Sequence, residues 1–423
     1  MAELSINFAG IKSPNPFWLA SGPPTNTGEQ VMRAFEMGWG GAVWKTLGEP
    51  IVNVSSRLGS LDEGDRRMVG LSNIELISDR SVETNLKEIS EVKKRFPDNA
   101  VIASLMVDSK EEWHRMVRLS EAAGADGVEL NFGCPHGMCE RGMGSAVGQE
   151  PKVMREIISW VKEVAKVPVL VKLTPNITDI TEPAVAAVEA GAEGLVLINT
   201  VRSIIGVDLE RLVPVPSVAG FGTPGGYSGP AVKPIALHMV SALARDSRID
   251  VPISGLGGIT TWRDAVEFIS LGSTSVQVCT AVMHHGFRII DDLVEGLSNY
   301  LDEKGMVSVD ELTGRALKTV TEWGELDLDY RVAADIDPDT CIGCQICYVS
   351  CKDGGHSAIH LPDESPSPGH VAPGHRIVSQ RLAESTPDVD YRVPWVDQTE
   401  CVGCNLCSLV CPVPDCIRMV ELK

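Results

Sequence analysis

Between residue 17 and about residue 281, short apolar runs alternate with longer segments whose apolar residues recur every three or four positions. Runs that are apolar almost throughout suit strands buried on both faces, and the segments between them suit helices with one buried stripe. Eight runs fit the strand pattern: FWLASG (17–22), GAVWKT (41–46), VIASLM (101–106), GVELNF (127–132), VLVKLT (169–174), GLVLIN (194–199), PISGLGG (252–258) and SVQVCT (275–280). EEWHRMVRLSEAAG (111–124) and PKVMREIISWVKEVAK (151–166) are examples of the helical segments. Four times a helical segment runs into a glycine shortly before the next strand, at Gly38, Gly124, Gly191 and Gly272. Glycine there supplies the left-handed cap that turns the chain back into the sheet.

This alternation predicts an α/β fold, and eight such units predict a closed (β/α)8 TIM barrel. A doubly wound open sheet would need a glycine-rich nucleotide loop after its first strand, and FWLASGPPTN does not have one. Gly220-Phe-Gly222-Thr-Pro-Gly225 spells a dinucleotide-binding motif, but Pro224 interrupts it and no helix is expected to open at its end. It reads as part of the loop after the sixth strand.

The pattern changes after about residue 310, first to an acidic stretch and then to two cysteine runs. The expected division is a barrel over 1–312, a linker over 313–335 and a ferredoxin-like domain over 336–423. Cys341, Cys344, Cys347 and Cys351 have the spacing C-x2-C-x2-C-x3-C, and Cys401, Cys404, Cys407 and Cys411 repeat it. Three closely spaced thiolates cap one iron-sulfur cube, while the fourth lies too far along and ligates the other. One 4Fe-4S cluster is therefore expected on Cys341, Cys344, Cys347 and Cys411, and a second on Cys401, Cys404, Cys407 and Cys351. A zinc site would pair two C-x2-C units, and a disulfide framework suits small secreted chains. The stretch from about 358 to 396, rich in Pro, Ser and His, reads as an insertion between the motifs, a solvent-exposed loop or else a partner-docking element.

In such barrels the active site lies at the C-terminal ends of the strands. Here those ends carry Ser21, Lys45-Thr46, Asn131, Lys172, Asn199-Thr200 and Cys279-Thr280, and Gly257-Gly258 follow the seventh strand. Two lysines and bare backbone amides suit an anionic aromatic cofactor. FMN fits, because its phosphate takes N–H donors and its reduced ring a nearby positive charge.

With these strings in place, the chain resembles the dihydroorotate dehydrogenase-like flavin barrels over nearly its whole length. It is most similar to the dihydropyrimidine dehydrogenases, in particular the FMN and iron-sulfur subunits of the bacterial NAD-dependent kind. The resemblance implies that Ala20, Ser21, Lys45, Thr46, Lys172, Ser228, Gly229, Gly257, Gly258, Cys279 and Thr280 surround FMN, with Asn73, Asn131 and Asn199 also near it. The string Ser72-Asn73-Ile74-Glu75-Leu76-Ile77 matches the family's pyrimidine-recognition segment, so Asn73, Glu75 and Ile77 are expected at the substrate with Asn131, Asn199 and Thr200. A pyrimidinedione presents N–H donors and carbonyl acceptors, to which carboxylate and amide side chains are complementary.

The resemblance also implies reduction of the C5–C6 double bond of uracil or thymine, with a hydride passing from FMN N5 to C6. Cys134, in the loop after the fourth strand, is the expected general acid giving its proton to C5. Two positions depart from the family pattern: Gly133 stands where relatives have Ser, and Cys139 where they have Gly. The chain offers no other credible site for NAD or FAD. The resemblance therefore implies an NADH-oxidising, FAD-bearing partner subunit, assembled as a heterotetramer, that feeds electrons through the clusters.

Two other readings compete with this one. With orotate or dihydroorotate as substrate, Glu75 would face a carboxylate, and the sequence suggests no further cation to offset it. A ferredoxin-like electron carrier would leave Cys134 and the two lysines without a purpose.

Composition narrows the partners. A formal net charge of −20 argues against nucleic acid and anionic membranes. No apolar run approaches the roughly 20 residues that span a bilayer, and MAELSINFAGIKSPNPF does not read as a signal peptide. Eight of the 12 cysteines lie in the cluster motifs, and the remaining thiols suit a reducing, cytoplasmic compartment.

Overall fold

All eight apolar runs form parallel strands of one closed barrel. In this computed structural model the strands are β1 (Phe17–Leu19), β2 (Gly41–Val43), β3 (Ala100–Leu105), β4 (Gly127–Asn131), β5 (Val169–Lys172), β6 (Gly194–Leu197), β7 (Ile253–Leu256) and β8 (Ser273–Val278). Neighbours follow chain order, and β8 pairs with β1 to close the cylinder. The structure describes residues 2–48, 53–135, 142–361 and 393–422.

Several strands stop before the apolar pattern does. At the mouth the backbone leaves the ladder for the loops, as where Lys45 N–H donates to Thr25 O at 3.1 Å. Side chains at these ends therefore turn into the mouth rather than onto a neighbouring strand. Helices Lys110–Ala122 and Pro151–Lys162 lie where the periodicity placed them, the second closing in a turn before Lys166. Gly38, Gly124, Gly191 and Gly272 all have φ between +92° and +107°, as a left-handed cap requires.

The core lies between the sheet and its helices and includes Trp18, Trp39, Trp44, Trp113 and Phe17, all fully buried. A hairpin of Ile6–Phe8 and Ile11–Ser13 covers the opposite end of the barrel from the mouth. Phe8 and Ile11 lie against Gly194 and Gly127, the first residues of β6 and β4, so only the C-terminal end stays open.

Beside the mouth, Leu58–Glu63, Arg66–Asn73, Val201–Ser203 and Gly225–Ser228 form a four-stranded antiparallel sheet. The dinucleotide-like glycines belong to this extension. Phe221–Gly222 pairs with Ser217–Val218, and Gly225–Ser228 follows as a strand rather than a helix.

The chain divides into two compact units, residues 1–320 and 321–423. The expected linker over 313–335 is not a free tether. Gly314 N–H donates to Ile269 O and a 3-10 turn follows at Arg315–Thr319, which belongs to the barrel unit. At the other end, Val332–Ile336 is a strand of the second unit, paired antiparallel with Ile417–Glu421. The insertion is also narrower than 358–396, because Ile359–His360 pairs with Trp395–Val396. Most of what lies between falls outside the described residues. Among the described residues no helix is long and apolar enough to cross a membrane.

Candidate active site and cluster cradles

The strand ends converge on one cavity. Its walls include Ala20, Ser21, Lys45, Thr46, Asn73, Glu75, Asn131, Cys134, Lys172, Asn199, Thr200, Ser228, Gly229, Gly257, Gly258, Cys279 and Thr280. The sequence had selected each of these. Ile77 is the exception: it is 1% exposed and packs with Met106, Cys134 and Met143 in an apolar cluster behind the wall. Alternation along the Asn73–Ile77 segment does not bring it to the cavity; it backs Cys134 instead. Cys139 lies outside the described residues.

The polar groups hold one another in place. Thr46 Oγ1 is 3.2 Å from Ser21 Oγ and 3.0 Å from Ser104 Oγ, and it accepts from Asn131 Nδ2 at 3.0 Å. Asn199 Nδ2 donates to Asn131 Oδ1 at 2.9 Å, and Asn199 Oδ1 accepts from the backbone N–H of Thr200 at 2.8 Å. Gly133 makes this arrangement possible, since a Cβ there would stand 2.4 Å from Asn199 Cβ. Asn73 Nδ2 donates to Gly226 O at 3.2 Å, tying the recognition segment to the sheet beside the mouth.

Lys45 Nζ lies 2.8 Å from Glu75 Oε1. Arg57 Nη1 is 3.4 Å from the same oxygen and 3.8 Å from Asp79 Oδ2. The expectation that no further cation stands near Glu75 is therefore corrected. Arg57 lies well before Glu75 in the chain, and the strands of residues 58–73 bring it back alongside; Ile74 N–H donates to Arg57 O at 3.0 Å. Periodicity carries no trace of this pairing. Burial, with Glu75 adding to it against the pull of Lys172 and Lys45, pushes the Cys279 thiol up to about 11. Cys279 is thus a neutral wall residue.

The walls fit FMN. Gly257 and Gly258 have φ of +126° and +81°, and a Cβ on Gly258 would lie 2.9 Å from Gly229 O. Two loops thus present bare backbone to the cavity where a phosphate needs N–H donors, and Thr280 Oγ1 donates to Ser228 Oγ at 3.0 Å beside them. Lys45 and Lys172 supply positive charge in the same walls.

The second unit contains two cysteine-lined cavities. Cys341, Cys344, Cys347 and Cys411 line one, and Cys351, Cys401, Cys404 and Cys407 the other. Each motif sends its fourth thiol to the other's cavity, the crossing that the spacing implies. None of the eight is in a disulfide. The thiols of each set ring a space, as a cube requires. Cys416 also lines the first cavity, a residue that its spacing gave no reason to select.

A model of the dihydroorotate dehydrogenase family matches residues 3–301, and a 4Fe-4S dicluster domain matches residues 340–415. The chain belongs to the dihydroorotate dehydrogenase family. It carries that family's barrel joined to a dicluster domain. The NAD-dependent dihydropyrimidine dehydrogenase subunit PreA of Escherichia coli K12 is 41% identical over 423 residues, covering 100% of this chain and 96% of that protein. The chloroplastic dihydropyrimidine dehydrogenase (NADP(+)) of Arabidopsis thaliana is 43% identical over 337 residues, 77% of this chain and 79% of that one. The catalytic subunit of dihydroorotate dehydrogenase B (NAD(+)) from Pyrococcus abyssi is 42% identical over 318 residues, 74% of this chain and 99% of that one.

Proposed function

We propose that this chain reduces the C5–C6 double bond of uracil or thymine to the 5,6-dihydropyrimidine, with Cys134 as the acid. The observation that carries the reading is the single cavity shared by Cys134, Asn73, Glu75, Asn131, Asn199, Thr200 and both lysines. Glu75 accepts a ring N–H, while the amides of Asn73, Asn131 and Asn199 and the Thr200 hydroxyl meet the remaining N–H and carbonyl groups. FMN, when bound, supplies a hydride to C6, and the two 4Fe-4S clusters supply the electrons that replace it.

Cys134 holds its proton over the opposite face of the base and gives it from Sγ to C5. Its apolar backing of Ile77, Met106 and Met143 keeps water from behind the thiol. Lys45 and Lys172 place positive charge where the flavin ring gains electrons. Gly229, Gly257 and Gly258 take the phosphate. NADH is oxidised on an FAD-bearing partner subunit, and the assembly is a cytoplasmic heterotetramer. The Escherichia coli relative, named as a subunit, supports the need for a partner.

A second reading, with orotate or dihydroorotate as substrate, gains from Arg57. Its guanidinium, 3.4 Å from Glu75 Oε1, offsets part of the charge that would repel a substrate carboxylate. One experiment separates the two. The purified protein is reduced chemically without oxygen, mixed with uracil, thymine or orotate, and followed by flavin reoxidation and product analysis. Reoxidation by uracil or thymine with dihydropyrimidine formed is expected. Reoxidation by orotate alone moves the substrate to the dihydroorotate branch, and none with any of the three removes both readings.

A further inference from the structure

Beneath the cavity lies a carboxylate that the proposed chemistry does not use. Glu129 sits in the middle of β4, two residues before Asn131, so both side chains share the inner face of the strand. It is 0% exposed, and Lys172 at the end of β5 is 3% exposed. Lys172 Nζ stands 3.7 Å from Glu129 Oε1. Ser104, Ser254, Ser275 and Gln277 are buried around the same level of the barrel, where branched aliphatic side chains are usual.

Fold stability is a poor account of this pair. Burying two charges costs several kcal/mol per ion, offset only where geometry is good and the spare lone pairs are satisfied. Here the separation exceeds hydrogen-bond length, and no hydrogen bond of ordinary length and angle reaches either Glu129 oxygen among the described residues, so Lys172, Gln277 and Ser104 favour its charge only from longer range. Lys172, in turn, is part of the cavity wall. Because Glu129 does not draw it into a short bond, its ammonium keeps its donors for the cavity.

We propose that Glu129 is a positioning residue for Lys172, balancing the ammonium from below so that the field at the cavity floor is that of a pair, not of a bare cation. This rests on the reading that FMN occupies the cavity. Burial pushes the Glu129 carboxyl up, and the ammonium of Lys172 opposes that shift. Removing the negative member leaves an unbalanced positive charge, which favours the more negative, reduced flavin over the oxidised one.

The test compares the affinities of the full-length protein for oxidised and reduced FMN by anaerobic titration. Glu129→Gln, which keeps the shape, is expected to shift the ratio at least ten-fold toward the reduced form, or about 30 mV for a two-electron couple. In a Lys172→Met background the same exchange is expected to change the ratio less than two-fold, because a fully buried carboxylate that has lost its counter-ion takes up a proton and leaves no charge to remove. Glu129→Asp keeps the charge but withdraws it by one methylene, and is expected to give a smaller shift in the same direction. It also keeps the test decisive should the Gln variant not fold. An unchanged ratio in the folded variants overturns the proposal, as does an equal shift with and without Lys172. Wild-type protein that retains no FMN overturns the flavin reading itself.

Discussion

Cys134 and Gly133 are adjacent in the chain and do different things. Cys134 is 7% exposed, backed by Ile77, Met106 and Met143, and reaches the cavity wall. General acids of this kind contribute roughly 10²–10⁴-fold. Cys134→Ala is therefore expected to lose at least 100-fold in pyrimidine reduction while its flavin and cluster absorbance stay as in the wild type. Stopped-flow reoxidation of the reduced protein measures this, and a wild-type rate would remove Cys134 from the mechanism. The departure at Gly133 is visible in the sequence as a missing hydroxyl. Its consequence is visible only in three dimensions: Asn199 occupies the space a Ser side chain would take, and bonds to Asn131 there.

At the scale of elements, the two cysteine motifs repeat in backbone as well as in spacing. Gly343 and Gly403 have φ of +68° and +70°, and Gln345 and Asn405 are left-handed residues that open the helices Ile346–Gly354 and Leu406–Val410. Each turn wraps three thiols round one cavity, and each helix carries the chain toward the other. Cys351 is the informative position, since it follows the first motif but lines the second cavity. Cys351→Ala is expected to lower bound iron by about half and to remove the cluster of Cys401, Cys404 and Cys407. Iron analysis with low-temperature EPR of the reduced protein tests this; full iron, or loss of the other cluster, would contradict the crossed ligand sets.

Across the whole molecule the two units differ in what holds them together. The barrel unit has an extensive apolar core. Among the described residues, the buried apolar cluster of the second unit is small: Ala334, Cys341, Cys347, Ile359, Cys407, Cys416 and Ile417. Three of these, Cys341, Cys347 and Cys407, belong to the cluster motifs, and so small a core stabilises little without the clusters. Anaerobic iron chelation is expected to expose residues 321–423 to protease while residues 1–320 persist as a resistant fragment. Equal resistance of both units after chelation would show that the second fold stands without its clusters.

The sequence by itself determined the barrel, because strands buried on both faces read as apolar runs and eight of them recur between helical segments. It also determined most of the cavity wall, since polar residues at the C-terminal ends of such strands have few places to go but the mouth, and through spacing it picked out the eight motif cysteines that line the two smaller cavities. The tertiary structure alone decided that Arg57 reaches Glu75, because that contact depends on an antiparallel extension with no periodic signal. It alone placed Ile77 behind the wall and drew the linker and the insertion into paired strands. It also showed that Glu129, one polar letter within an apolar run, lies beneath Lys172. Local pattern fixes which residues face inward; which inward residues meet depends on strand register and barrel closure, and no single segment carries that information.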